Sequence, residues 1–339
     1  IRVLKEGLEV DQVLGNVLVD MYAKCGSLLE ARKVFNKLPM QNLVSWNTII
    51  SSYIEHEHHV EALNCLEEMQ SKDIHLDTTT SISFLKICGS LESVHKGQKL
   101  HIEIVKKGLE RDILLGNTLI DMYTKCGSLP MAHYLFEKLP WRDVVSWNVL
   151  MTGYLEGGQG QKALHHFEQM EREEICPTSV TFVCSLKACG MLGTAEKGKL
   201  VHIHIVKKGL EDEVLVGNSL VDMYMKCDSV ADAQETFCKL PARDVIAWTS
   251  LICGYMEHGY SEEALSYLEQ MEHDLICPNS VSFVCGLKAC GSVSFSDRGK
   301  LLHCEIVRRG FETENVIGNA LIDMYFNCSL LLEAQDVFD

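Results

Sequence analysis

The amino-acid sequence is short of basic residues and has no long apolar run. No uncharged apolar segment of the 339-residue chain approaches the roughly 18–20 residues needed to span a bilayer, so no membrane segment is predicted. The chain has 31 lysines and arginines against 47 aspartates and glutamates, a formal net charge of −16. Hydrophobic residues make up 47% and charged residues 23%, which is typical of a folded chain and excludes disorder, collagen and coiled coil.

Paired cysteine motifs are also missing, although the chain has 15 cysteines. No two of them form a C-x-x-C arrangement, which argues against a zinc site. Eleven recur periodically and are predicted at or near a helical core as small hydrophobes, without disulfides, in a reducing compartment. These are Cys25, Cys126, Cys227, Cys328, Cys88, Cys189, Cys290, Cys176, Cys277, Cys184 and Cys285. No metal and no cofactor are expected.

Two segments come close to catalytic motifs without completing them. His101-Ile-Glu103 and His303-Cys-Glu305 match the H-x-E half of a zinc deaminase signature, but the chain lacks the P-C-x-x-C half. Residues 193–199 resemble a phosphate-binding loop, but Leu200 stands where a Ser or Thr should bind Mg²⁺ and no strand precedes it. No catalytic residue is predicted, so any catalytic domain would lie outside this chain.

The sequence repeats itself with a period of 101 residues. Gly15-Asn16 recurs as Gly116-Asn117, Gly217-Asn218 and Gly318-Asn319, and Trp46 recurs as Trp147 and Trp248. A fixed period without insertion or deletion indicates a stacked array rather than independent globular domains.

Each period divides into three helical pairs, of 31, 35 and 35 residues. Apolar residues at helical spacing fill residues 117–126, and no sustained alternation predicts a strand. Ser27, with Glu30 three residues later, is typical of a capping box. Lys207, Lys208 and Gly209 are typical of a helix end with a left-handed glycine cap. The fold class is therefore predicted to be an all-α solenoid of helix–turn–helix units.

Several motifs in this register resemble plant pentatricopeptide repeat proteins. They are Ser-Trp-Asn (45–47 and 146–148), Asp-Met-Tyr-Thr-Lys-Cys-Gly (121–127) and Leu-Lys-Ala-Cys-Gly (186–190 and 287–291). The 31/35/35 alternation resembles the PLS subclass, which implies a right-handed superhelix of S, P and L units. The predicted S units are 12–42, 113–143 and 214–244, the P units 43–77, 144–178 and 245–279, and the L units 78–112, 179–213 and 280–314; residues 1–11 would be a partial L unit and 315–339 a partial S unit. Because the chain opens without Met and stops within a unit, it is expected to be part of a longer protein.

The resemblance implies the function of a single-stranded RNA binder in a mitochondrion or chloroplast. Most proteins of this subclass are specificity factors for cytidine-to-uridine editing, so other RNA-editing factors are possible partners, and neither a membrane nor a small-molecule substrate is expected. The alternative is a protein-binding solenoid such as a tetratricopeptide array. Its constant 34-residue unit does not fit the 31/35/35 alternation.

The resemblance also implies which residues read RNA: the fifth and last residues of each S or P unit contact one base edge, and the second packs on the base. The reading pairs are Asn16 with Asn42, Asn47 with Asp77, Asn117 with Asp143, Asn148 with Thr178, Asn218 with Asp244 and Thr249 with Asn279, and Asn319 begins a further pair. The base-packing residues are Val13, Val44, Leu114, Val145, Leu215, Ile246 and Val316, and Lys24, Lys125 and Lys226 would face phosphate. The L units carry Ile82, Val183 and Val284 at the fifth position and are expected to act mainly as spacers.

In the family, each pair of fifth and last residues is associated with a base. The pair Asn–Asp is associated with uridine, the pairs Asn–Asn and Asn–Thr with a pyrimidine, and the pair Thr–Asn with adenosine. The expected RNA sequence is thus 5'-YUNUYNUAN-3', where Y is a pyrimidine and N any base. Taken alone, an Asn near the start of a helix is more often a cap, and each lysine a solvated surface residue. Acids concentrate in residues 60–73, 161–174 and 261–274, which are predicted second helices on the outer wall. The groove would then be about neutral, and its binding would depend weakly on salt.

Overall fold

The computed structural model describes residues 12–338 except 73, 75 and 110. The described part of the chain contains twenty α-helices of 8 to 14 residues and no strand, which confirms the all-α prediction. The predicted partial L unit, residues 1–11, lies outside the described residues. No helix in these ranges is long and apolar enough to cross a bilayer.

The chain forms two compact units, residues Ile1–Gly157 and Gly158–Asp339, which are described separately. The described helices of the first unit are α1 (Gln12–Lys24), α2 (Leu28–Asn36), α3 (Leu43–Glu55), α4 (His59–Ser71), α5 (Thr78–Ser90), α6 (Val94–Lys106), α7 (Ile113–Lys125), α8 (Leu129–Lys138) and α9 (Val144–Glu156). Those of the second unit are α10 (Gly160–Arg172), α11 (Ser179–Leu192), α12 (Ala195–Lys208), α13 (Val214–Lys226), α14 (Val230–Lys239), α15 (Val245–Glu257), α16 (Ser261–His273), α17 (Ser280–Ser292), α18 (Ser296–Arg308), α19 (Asn315–Asn327) and α20 (Leu331–Phe338).

The odd-numbered helices form one layer within each compact unit. In the first, α1, α3, α5, α7 and α9 pack in succession, and in the second α11, α13, α15, α17 and α19 do the same. Each odd helix up to α7, and each from α11 onward, also packs against the even helix that follows it in the chain. This nearest-neighbour packing is the organisation of a solenoid.

One aromatic pair recurs in the core of every period. Trp46, Trp147 and Trp248 are almost fully buried at the fourth position of α3, α9 and α15. Their rings meet Phe35, Phe136 and Phe237 edge to face at 4.6–4.8 Å. Each Trp therefore joins the start of one odd-numbered helix to the even-numbered helix before it, and edge-to-face geometry makes this contact favourable.

The predicted helix ends are partly confirmed. Gly209 caps α12 in the left-handed conformation, with φ 65°. The predicted capping box at Ser27 is wrong, because Ser27 precedes α2 with ψ 61° instead of an extended backbone and its side chain makes no capping bond. Glu30 pairs with Lys33 at 2.7 Å instead.

The cysteine prediction holds for only part of the set. Cys88, Cys184, Cys189, Cys285 and Cys290 are buried, and all fifteen cysteines are free. The prediction is wrong for three of the eleven periodic cysteines, which are exposed: Cys25, Cys176 and Cys277. Cys176 and Cys277 precede prolines in the loops after α10 and α16, outside the helical layers.

Close helix packing makes Gly153 intolerant of a side chain. A Cβ built there would lie 2.5 Å from Thr124 Cβ, an atom close to the backbone that cannot swing away. We therefore expect Gly153→Ala to lower the free energy of unfolding by about 1–3 kcal/mol, measured by urea denaturation. Gly318, also inside a helix, has no neighbour within 4 Å of the same position. Gly318→Ala should instead stabilise α19 by roughly 0.5–1 kcal/mol, and equal losses in the two variants would contradict the packing argument.

Candidate functional site

The last residue of each predicted S or P unit is the N-cap of the next first helix. A side-chain oxygen of five of these residues accepts a hydrogen bond from the backbone N–H three positions later, at 2.8–3.0 Å. The five are Asn42, Asp77, Asp143, Asp244 and Asn279, and Thr178 occupies the same place before α11. The capping role considered for the fifth-position Asn therefore belongs to the last residue, and the cap holds that side chain in a fixed place.

Three of the predicted reading pairs are in direct hydrogen-bond contact. Asn47 Nδ2 donates to Asp77 Oδ2 at 3.5 Å, and Asn117 Nδ2 donates to Asp143 Oδ1 at 3.3 Å. Asn218 Nδ2 donates to both carboxylate oxygens of Asp244, at 3.0 and 3.1 Å. Although 26 or 30 residues separate the partners in sequence, the fold places the two members of each pair side by side.

The fourth pair, Thr249 and Asn279, is joined through Ser282. Ser282 Oγ lies 3.1 Å from Thr249 Oγ1 and donates to Asn279 Oδ1 at 2.7 Å. Ile246, Thr249, Asn279 and Lys226 line the same cavity of about 240 Å³. The predicted base-packing, base-reading and phosphate-facing residues thus meet at one concave site within the second compact unit.

Asn16, Asn42 and Asn319 make no contact of this kind among the described residues. Asn16 accepts a weak hydrogen bond from Gln12 at 3.4 Å within α1, and Asn42 caps α3. Asn148 is half-buried in α9 of the first compact unit, while Thr178 lies in the second. Asn319 is exposed on α19.

All seven predicted base-packing residues expose an apolar side chain. Their exposed fractions run from 49% to 73%, for Val13, Val44, Leu114, Val145, Leu215, Ile246 and Val316. Val180 and Val281, at the second position of two predicted L units, are exposed to a similar extent, and the sequence argument missed them. The apolar second residue was the available signal, but the non-polar fifth residue had suggested a spacer.

Each predicted phosphate-facing lysine is paired with an aspartate. Lys24, Lys125 and Lys226 contact Asp20, Asp121 and Asp222 at 2.8 Å, one helical turn earlier. The pairs are largely exposed, so each contributes little to stability, but it cancels the local charge. The surface is therefore close to neutral beside the reading pairs.

The carboxylates of two reading pairs are held in the ionised form. Burial raises the pKa of Asp77 and Asp143, but hydrogen bonds from Thr80 and Asn47, and from Ser146 and Asn117, outweigh burial and bring both pKa values below the ordinary 3.8. Both groups therefore act only as hydrogen-bond acceptors at neutral pH.

The depressed pKa values predict acid sensitivity. A carboxyl whose pKa is lower in the folded state stabilises the fold fully above its unfolded pKa, and the contribution is lost as pH falls through the folded value. We expect the free energy of unfolding to decline below about pH 4. The double variant Asp77→Asn with Asp143→Asn keeps both caps and should decline less steeply in a series of urea titrations from pH 6 to pH 2.5. A parallel decline in both proteins would contradict the role of these carboxyls.

His101 and His303 of the incomplete deaminase motif, and His202 at the equivalent position of the middle period, serve packing. Nδ1 of His101, His202 and His303 lies 2.8–3.0 Å from the hydroxyl oxygen of Tyr123, Tyr224 and Tyr325 on the next first helix. Burial lowers the pKa of His202 and His303, which favours the neutral ring. Among the described residues no group of three or more His, Cys, Asp or Glu side chains is arranged to hold a metal ion.

Sequence models of two related families match the chain. The PPR repeat family matches residues 41–90, 142–191 and 243–292, and a second PPR repeat model matches 16–43 and 117–144. Together these matches cover more than half of the chain.

The chain is also similar to curated proteins of Arabidopsis thaliana. A chloroplastic pentatricopeptide repeat-containing protein is 33% identical over 99% of this chain and 42% of its own length. A mitochondrial one is 34% identical over 99% of this chain and 33% of its own length. The chain thus spans less than half of the length of these relatives.

Among solved structures, the fold is similar to that of the pentatricopeptide repeat protein PPR10 in complex with an 18-nucleotide psaJ RNA element. The TM-score is 0.78 at 16% identity, covering 98% of this chain and 50% of that one. At this identity the similarity concerns the fold.

Proposed function

The chain belongs to the pentatricopeptide repeat family, and on this premise we propose that it binds single-stranded RNA with one base at each S and P unit. The observation that carries the proposal is the side-by-side placement of fifth and last residues beneath an exposed apolar second residue, as at Asn218, Asp244 and Leu215. A solved relative of the same fold is in complex with RNA, which supports the same ligand class. An apolar side chain next to a polar pair fits a base, which has an apolar face and a polar edge.

The chemistry of the Asn–Asp pairs suits uracil. Uracil presents an N3–H donor between two carbonyl acceptors, and the pair offers an ionised acceptor next to an amide donor. Because Asp77 and Asp143 stay ionised, they accept a hydrogen bond from N3–H and give none to the N3 acceptor of cytosine. We propose that the S, P and L units have the boundaries given above and that the preferred sequence is 5'-YUNUYNUAN-3'.

The charge distribution supports an RNA affinity that depends only weakly on salt concentration. Each site lysine is paired with an aspartate, so few counterions leave the RNA when it binds. The affinity would then come from base contacts more than from phosphate contacts. In this proposal the L units add a stacking surface through Val180 and Val281 without reading a base edge.

The cellular role we propose is site recognition in an organelle. The two relatives described above are named chloroplastic and mitochondrial, which supports either location. Within it the array would select RNA sites for processing, cytidine-to-uridine editing above all, alongside other editing factors. The array itself would bind RNA without catalysing a reaction.

A titration with short RNA tests the proposal. We expect the chain to bind the nine-nucleotide RNA CUAUCAUAA, which fits the predicted sequence, more tightly than the same RNA with its three predicted uridines changed to guanosines. At on the order of 1–3 kcal/mol per base, three mismatches should weaken binding more than a hundredfold. Fluorescence anisotropy at fixed salt measures both constants. Equal affinities would overturn base readout, and no binding to either RNA would favour a protein-binding scaffold.

A further inference from the structure

A buried hydroxyl stands behind two of the predicted reading pairs, Asn47 with Asp77 and Thr249 with Asn279. Thr80, Thr181 and Ser282 occupy the third position of the first helix that follows a P unit, and their exposed fractions are 1%, 0% and 0%. RNA on the surface cannot touch side chains buried to this extent. Any influence they have on base choice must therefore pass through the residues they contact.

Thr80 contacts both members of its pair. Its single hydroxyl proton is shared between two acceptors, Asn47 Oδ1 at 2.7 Å and Asp77 Oδ1 at 2.5 Å, and its backbone N–H donates to Asp77 Oδ1 at 2.8 Å. Ser282 makes the equivalent bridge, to Asn279 Oδ1 at 2.7 Å and to Thr249 Oγ1 at 3.1 Å. In both places the hydroxyl binds the oxygen end of an asparagine amide.

The orientation of that amide decides whether it presents a hydrogen-bond donor or an acceptor to a base. Since the Asn47 oxygen is bound to Thr80, its Nδ2 is left to donate, and it points toward Asp77. A turn of 180° about the last side-chain bond would exchange donor and acceptor. Uracil has a carbonyl at position 4 where cytosine has an amino group, so an amide that presents a donor favours uracil and one that presents an acceptor favours cytosine.

We propose that Thr80 is a positioning residue for base selection, whose hydroxyl fixes the Asn47 amide with its NH₂ group toward the second base of the RNA. This inference rests on the proposed RNA readout and adds a determinant outside the fifth and last positions. Ser282 holds the Asn279 amide by its oxygen in the same way. The NH₂ group of Asn279 is then left to donate to the N1 acceptor of adenine.

The S units provide the matched control. Ser146 is as buried as Thr80 and donates to Asp143 Oδ1 at 2.9 Å, but it makes no hydrogen bond with Asn117 in the described part of the chain. Asn117 Oδ1 is buried without a partner there. Ser146→Ala therefore removes a comparable capping hydroxyl without releasing the amide of a reader.

The test measures the ratio of affinities for uridine over cytidine. The 339-residue chain, Thr80→Val, Thr80→Ser and Ser146→Ala are each titrated with CUAUCAUAA and with versions carrying C at position 2 or 4. Thr80→Val should lower the ratio at position 2 by a factor of about 2–10, the worth of one hydrogen bond, with no change at position 4. Thr80→Ser should restore the ratio, and Ser146→Ala should leave both ratios unchanged, although both alanine and valine variants lose stability.

The outcomes separate the two proposals. If the unsubstituted chain prefers uridine at position 2 and Thr80→Val keeps the same ratio, this inference is overturned while the readout stands. Loss of the ratio in Thr80→Ser as well would also overturn it, because the hydroxyl would then not be the cause. If the unsubstituted chain binds U and C equally at every predicted U position, the one-base readout fails, and the inference fails with it.

Discussion

Replacing Thr249 by Asn and Asn279 by Asp should change the preferred eighth base of the RNA from adenosine to uridine. The double substitution reproduces the Asn47–Asp77 pair of the first period, and Ser282 supplies a hydroxyl where that pair has Thr80. Aspartate caps a helix as well as asparagine, so α17 should keep its start. Titration of both proteins against RNAs with A or U at position 8 should show the preference reversed, by roughly five- to a hundredfold in each direction.

The single variants serve as controls for this reversal. Thr249→Asn alone creates a pair of two asparagines with Asn279. The family associates this pair with a pyrimidine, so the affinity for RNA with cytidine at position 8 should rise relative to that with adenosine. Preferences at the positions of Asn47 and Asn218 should be unchanged, since those pairs lie in other repeats. A double variant that folds, binds and still prefers adenosine would show that this pair does not read the base.

Trp248→Ala should have the largest effect on stability of any single substitution proposed for this chain. The indole is 2% exposed, packs edge to face on Phe237 at 4.8 Å and approaches Tyr267 at 6.3 Å, so its removal leaves a large cavity between α14, α15 and α16. We expect the free energy of unfolding to fall by about 3–5 kcal/mol, measured by urea denaturation followed by circular dichroism. Because each repeat is stabilised by its neighbours, the loss should appear as an early transition of part of the chain.

Trp248→Phe provides the matched comparison. The indole Nε1 is buried without a hydrogen-bond partner among the described residues, so phenylalanine forfeits packing but no hydrogen bond. Its cost should be less than half that of alanine. Equal costs for the two variants would mean that the aromatic contact with Phe237 contributes little.

The helical architecture could be predicted from the sequence because the same pattern of apolar and capping residues recurs in each period. The periodic Trp46, Trp147 and Trp248 indicated equivalent positions in a repeat, and the structure buries all three in the same way. Helix ends at Gly209 followed from the need for a positive φ. The capping box at Ser27 failed because a local motif does not fix the backbone angle of the residue before the helix.

The sequence by itself determined the all-α fold and the period of the helices, because these depend on local spacing. Only the tertiary structure decided how the predicted reading residues are held. It placed Asn117 against Asp143 and gave the capping role to Asp143. It also put the Thr80 hydroxyl between Asn47 and Asp77. The contacts of Asn117 with Asp143 and of Thr80 with Asn47 join residues from separate parts of the fold, and their hydrogen bonds depend on distances and angles of a few tenths of an ångström and a few tens of degrees that only the packed chain defines.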